Sequence, residues 1–311
     1  MSQQTVSGPQ IAPNLFATAD TTTSSVYNQV TIGTNADGSL ITSPTVTFAV
    51  GTDVGRVSVQ NQSRLYVVGG VVNGSISTGK DTLVNISGGT VGDVFQSSTG
   101  TGKITISGGS TRYVAPRNEL LMTGGSLITL DTFGGARVRV EGGSVTQMWL
   151  FGGPPISPTS VVIAGGTIGT IDYRSSGNIV TILGGSVGQI WGAGGSANIY
   201  GGAFGPDALI NFRSNATRFD IFGENLSFSG GSLGTFTDQF GRSYNGVWWN
   251  VAGTLNSGDL LNTRYFERAG SLDGPASLVF NVIPAPGTLL VMGLVPVLGL
   301  RRRRAAAAAP R

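Results

Sequence analysis

Four residues are spaced so that they could do chemistry together: Asp131, Trp149, Asp172 and Trp191. Each follows by one position an apolar residue of a recurring motif (Leu130, Met148, Ile171, Ile190). If that motif builds stacked strands, each of the four points away from the core. An exposed column alternating acid and indole suits a carbohydrate. The indole face stacks on sugar C–H groups, and the carboxylates accept hydrogen bonds from hydroxyls. These four are the candidate glycan contacts. The competing reading is that the tryptophans lie under loops.

Other chemistries find little to work with. The 311 residues include no histidine and no cysteine, so imidazole acid–base catalysis, His/Cys metal sites, thiol nucleophiles and disulfides are excluded. Glycoside hydrolysis needs two carboxylates about 5 to 10 Å apart, and a lyase built on stacked coils needs clustered acids with a basic partner. The 16 acids are scattered along the chain with no Asp-Asp pair. Gly88 to Asp93 is like a calcium-binding nonapeptide but has one residue too many and occurs once. The expectation is a protein that is not an enzyme and holds no cofactor or metal. The alternative is a β-helix polysaccharide lyase or glycoside hydrolase.

The formal charge of +3 comes from the C-terminus. Five of the 19 basic residues are arginines from Arg301 onward, which leaves 14 basic against 16 acidic upstream. No upstream segment clusters basic residues as phosphate contacts require, so no nucleic-acid partner is expected.

The element that must position the four candidates is an internal repeat. Its unit reads apolar-x-apolar-x-Gly-Gly-(Ser/Thr)-apolar-x-x-apolar, as in VNISGGTV, VRVEGGSV and VTILGGSV. Nine such units begin their glycine step at Gly69, Gly88, Gly108, Gly124, Gly142, Gly165, Gly184, Gly201 and Gly223. Alternation before the glycines (Val84 and Ile86, Val138 and Val140, Val180 and Ile182) predicts a strand with one face buried. The glycine pair predicts a corner, since glycine reaches positive φ without a Cβ clash. Stacked coils of this kind bury a core that no single unit could form. The period is too short for propeller blades and lacks the leucine and asparagine pattern of leucine-rich repeats.

The predicted fold is all-β: a right-handed parallel β-helix with a C-terminal β cap and a short C-terminal transmembrane helix. Residues 1–25 read as a flexible polar lead-in and residues 26–230 as the repeats, regular from about residue 60. Residues 231–282 form a cap rich in aromatics, residues 283–304 the membrane segment, and residues 305–311 a tail.

That membrane segment carries a second signal. Pro284, Ala285 and Pro286 precede an apolar run from Gly287 to Leu300, followed at once by Arg301, Arg302, Arg303 and Arg304. An apolar helix ended by four arginines is a stop signal in a bilayer, with the arginines held on the cytoplasmic side. The run would span roughly 21 Å as a helix against a hydrocarbon core of about 30 Å, so it is a short anchor. The order of the three parts resembles the PEP-CTERM sorting signal of Gram-negative bacteria, with Ala285 standing where the usual motif has Glu. The resemblance covers about 22 of the 311 residues. It implies recognition by an exosortase-like membrane protease, cleavage near Pro284 to Pro286, passage through the inner membrane and delivery to the cell surface or extracellular matrix. It also implies an association with exopolysaccharide.

The N-terminal residues have neither a basic stretch nor an apolar run of signal-peptide length. A C-terminal sorting signal needs an export leader, so the true start is expected upstream of Met1. Taken together, the sequence points to an exported, surface-sorted structural or adhesive β-solenoid protein.

Overall fold

A computed structural model describes residues 4–6, 12–17, 19–23, 26–33, 39, 44–97, 101–151, 158–192, 194–211, 217–268 and 278–282. Among these there is no helix, and none that is long and apolar enough to cross a membrane. Pro284 to Arg304 lie outside the described residues.

Each repeat folds as a short strand, a glycine corner and a longer strand. In one rung Arg137–Val140 is the short strand and Ser144–Leu150 the long one. Val138 and Val140 point inward, as the alternation predicts, and so do Val145, Met148 and Leu150. Thr146 and Gln147, between buried Val145 and Met148, are two consecutive residues outside the core, so the long strand departs from simple alternation there.

The rungs stack as parallel ladders. Ile104, Leu120, Val138, Val161 and Val180 lie over one another in successive short strands. Val114, Leu130, Met148, Ile171 and Ile190 do the same in the long ones. Every one of these side chains is buried, and each rung closes a core that its neighbours complete. The glycine-cornered rungs form a parallel β-solenoid of about nine turns.

The corner explains why both glycines are needed. Gly143 has φ +80°, and a Cβ there would lie 2.6 Å from the carbonyl oxygen of Gly125 one rung below. Gly142 has an ordinary φ, but its Cβ would be driven into the carbonyl oxygen of Thr123. One glycine is demanded by backbone conformation and the other by vertical contact.

The ladders also run upstream of the glycine-cornered units. Thr21–Thr23 pairs with Thr45–Phe48 and with Gln4–Val6, and Val26–Ile32 pairs with Asp53–Val59 and Ala12–Ala17. Of residues 1–25, expected as a flexible polar lead-in, residues 4–6, 12–17 and 21–23 are instead strands of these ladders. Threonines of the last of these serve as inward residues, with Thr21 and Thr23 buried and their hydroxyls hydrogen-bonded to the Ala19 carbonyl and the Tyr27 hydroxyl.

At the other end, Arg218–Thr237 begins as a further short strand, with Phe219 and Ile221 inward, and leaves the ladder at Gly223. It then pairs antiparallel with Ser243–Leu255, which pairs with Leu260–Arg268, which rejoins the long-strand ladder through Leu209–Asn211. Leu278–Val282 covers the short-strand ladder at Phe219 to Gly223. The hairpin formed by the first two of these strands is an arm that reaches back along the rod.

Candidate functional site

The register of the long strands places Asp131, Trp149, Asp172 and Trp191 in one column, each the direct partner of the next. The column continues through Ile210 to Phe266. These are the positions the sequence assigns them.

Their exposure is another matter. Asp131 is 6% exposed, Asp172 1% and Trp191 3%, while Trp149 is partly buried with its indole nitrogen enclosed. The expectation of an open acid–indole ladder is corrected: the arm covers its Trp191 end, while Arg174 meets Asp172 and Tyr113 meets Asp131. Phe236 of the arm meets Trp191 edge to face at 5.7 Å and Phe266 at 5.6 Å. Farther along, Gln239 bonds Gln147, and the ring of Phe240 sits 5.6 Å from the guanidinium of Arg174. The tip is fastened by Asp238, whose carboxylate accepts the backbone N–H groups of Phe240 and Arg242 and the Arg242 guanidinium. Burial alone would raise the Asp238 carboxyl, but those donors outweigh it and hold it below the ordinary carboxylate range.

Arg174 joins the arm to the column. It ion-pairs Asp172 at 2.7 Å and lies 5.1 Å over the Trp149 ring. The Tyr113 hydroxyl donates to Asp131 at 2.7 Å. Burial raises Asp131 above the usual carboxylate range, and this outweighs the lowering by Tyr113 and Arg174. One carboxyl raised by burial beside another paired with a cation is the kind of asymmetry that acid–base pairs use. Here, however, Trp149 stands between the two acids in the column, and neither acid is open to solvent.

Sequence reasoning missed what lies at the edge of the arm. A cleft of about 500 Å³ opens between arm and rod, lined among others by Gln189, Asp207, Thr235, Thr237, Trp248 and Arg264. Asp207 pairs with Arg264 at 2.5 Å, and Arg264 lies 4.5 Å over the Trp248 ring. Thr235, Thr237 and Arg264 are exposed. Only the clustering of aromatics after Gly223 hinted at it, without saying which face they would cover.

Among the described residues no group of three metal-ligating side chains is brought together. Comparison with protein-family models, curated proteins and solved structures finds no match.

Proposed function

We propose that this protein is an exported, surface-sorted β-solenoid, right-handed, that serves as a structural or adhesive rod in association with exopolysaccharide. The observation that carries this reading is the pair of parallel ladders, cornered by glycine at every regular rung. Such a stack is a long, rigid surface suited to many weak contacts with a polymer. The glycan contacts assigned to the column pass to the cleft at the arm's edge. There Asp207 and Gln189 can accept hydroxyl hydrogen bonds and the threonines can donate them. Residues 284–304 supply the sorting signal read by an exosortase-like membrane protease, with the apolar helix as a membrane anchor in transit.

The test is localisation of the full chain in a bacterium that has such a protease. The expected product is surface material ending near Pro284 to Pro286. Neutral residues at Arg301 to Arg304 should reduce retention in the membrane before cleavage. Surface material whose intact mass still includes Arg311 would sink the claim of processing.

The rival reading, a glycan-processing β-helix enzyme, has one observation in its favour: the contrast between Asp131 and Asp172. On that reading Asp131→Asn would abolish breakdown of the host's exopolysaccharide. On the structural reading the variant and the parent behave alike, with no breakdown by either.

A further inference from the structure

The short strands present another surface, away from the column under the arm. Their first outward positions stack as Arg64, Leu83, Lys103, Glu119, Arg137 and Ser160. A cation thus recurs at every second rung, at Arg64, Lys103 and Arg137. Two rungs span about 9.6 Å, close to the length of two sugar units in an extended chain.

Around Arg137 the surface dips into a groove of about 490 Å³. Leu121 and Val162 flank Arg139 in the neighbouring outward column, giving the groove apolar patches on either side of a guanidinium. Glu119 and Glu141 stand at its rim, the first paired with Lys103 at 2.8 Å and the second with Arg139 at 2.6 Å. Arg137 is exposed, and among the described residues it has no carboxylate partner. The column from Arg64 to Ser160 holds three cations and one acid, although the chain before Arg301 carries 14 basic residues against 16 acidic ones.

We infer that the Arg137 groove binds a linear acidic polysaccharide carrying one carboxylate for every two sugars, laid along the rod axis. The guanidinium of Arg137 takes one carboxylate in bidentate fashion. Sugar C–H faces rest on Leu121 and Val162, and Glu119 and Glu141 accept hydroxyl hydrogen bonds. The next carboxylate along the chain falls near Lys103 and the one beyond it near Arg64. A nucleic-acid strand fits poorly, because its charges recur about every 3.4 Å per strand and would be driven against the two glutamates. This inference does not rest on the sorting signal or on the cleft beside Trp248.

The test uses the full chain with four polymers: hyaluronate (one carboxylate per two sugars), polygalacturonate (one per sugar), neutral dextran and oligothymidylate. Hyaluronate should bind best, dextran should not bind, and added salt should weaken the complex. Arg137→Ala should weaken hyaluronate binding about tenfold or more, and Arg137→Lys should recover part of it. Neither should move the melting temperature, since Arg137 has no ion pair to lose. Glu119→Gln should tighten binding, because it frees Lys103 and removes an opposing charge. Equal binding of dextran and hyaluronate, preference for polygalacturonate or oligothymidylate, or an Arg137→Ala variant that binds as the parent does would each overturn the proposal. A failure here would leave surface localisation of the rod unaffected.

Discussion

Trp191 and Phe236 meet edge to face with ring centroids 5.7 Å apart, and this contact closes the side of the rod. Trp191 belongs to a regular rung and Phe236 to the arm, so the indole is an anchor and not a platform for ligand. Trp191→Ala should lower the melting temperature of the full chain by several degrees and loosen the arm. Faster hydrogen exchange in the strand around Phe236, with little change in the short strands, is the expected signature. An unchanged melting temperature would mean that the arm does not seal the column.

The corner glycines give a sharper case. Gly143→Ala places a side chain at φ +80° and against the Gly125 carbonyl. It should destabilise by at least about 1–3 kcal/mol, the range for a strained backbone position. Gly177 has φ +87° but no atom within 4 Å of where its Cβ would be, so Gly177→Ala should cost clearly less. Denaturant unfolding of both variants checks the comparison, and equal losses would show that vertical contact contributes nothing.

The core register can be tested at Ile182, which lies between Ile163 and Ile199 in the inner column. Ile182→Asp buries an unpaired carboxylate and should cost more than about 4 kcal/mol. A folded variant with parental melting behaviour would refute the inward assignment.

Asp131 and Asp238 should respond oppositely to acid. Asp131 is raised by burial, so its contribution is fully present below the ordinary pKa near 3.8 and is lost as pH rises through its folded value. Asp238 is lowered by its donors, so its contribution is present above 3.8 and is lost as pH falls through its folded value. Asp131→Asn should therefore raise the melting temperature at pH 7 relative to the parent and bring no such gain at pH 3. Asp238→Asn should lower it at pH 7. Melting curves of both variants across pH 3–7 decide the matter, and a destabilised Asp131→Asn protein at pH 7 would contradict the assigned shift.

The solenoid itself was legible because two local signals agree. Alternating apolar residues specify the strand, and the glycine pair specifies the corner, so Val138 and Val140 could be placed inward from sequence alone. The column from Asp131 to Trp191 was equally legible in register. Its burial was not, because the covering segment does not repeat, and nothing local in Phe236 or Phe240 says which face they will meet. The strands before residue 26 escaped notice for a different reason. Thr21 and Thr23 fill inward positions with hydroxyls whose hydrogen bonds are satisfied, which a reading based on apolar alternation passes over. The groove at Arg137 was hidden because its charges come from separate rungs and look scattered until the ladder aligns them.

The arm has a mechanical consequence. The hydrogen bonds of both ladders run along the rod axis, so tension applied at its ends pulls directly on them and would peel rungs off one after another. The arm bridges several rungs at once, from Gln147 through Arg174 and Trp191 to Phe266. It acts as a splint that makes neighbouring rungs share a load each would otherwise meet alone. The stretch of rod beneath it should yield last under tension, and the uncovered turns on the N-terminal side should yield first.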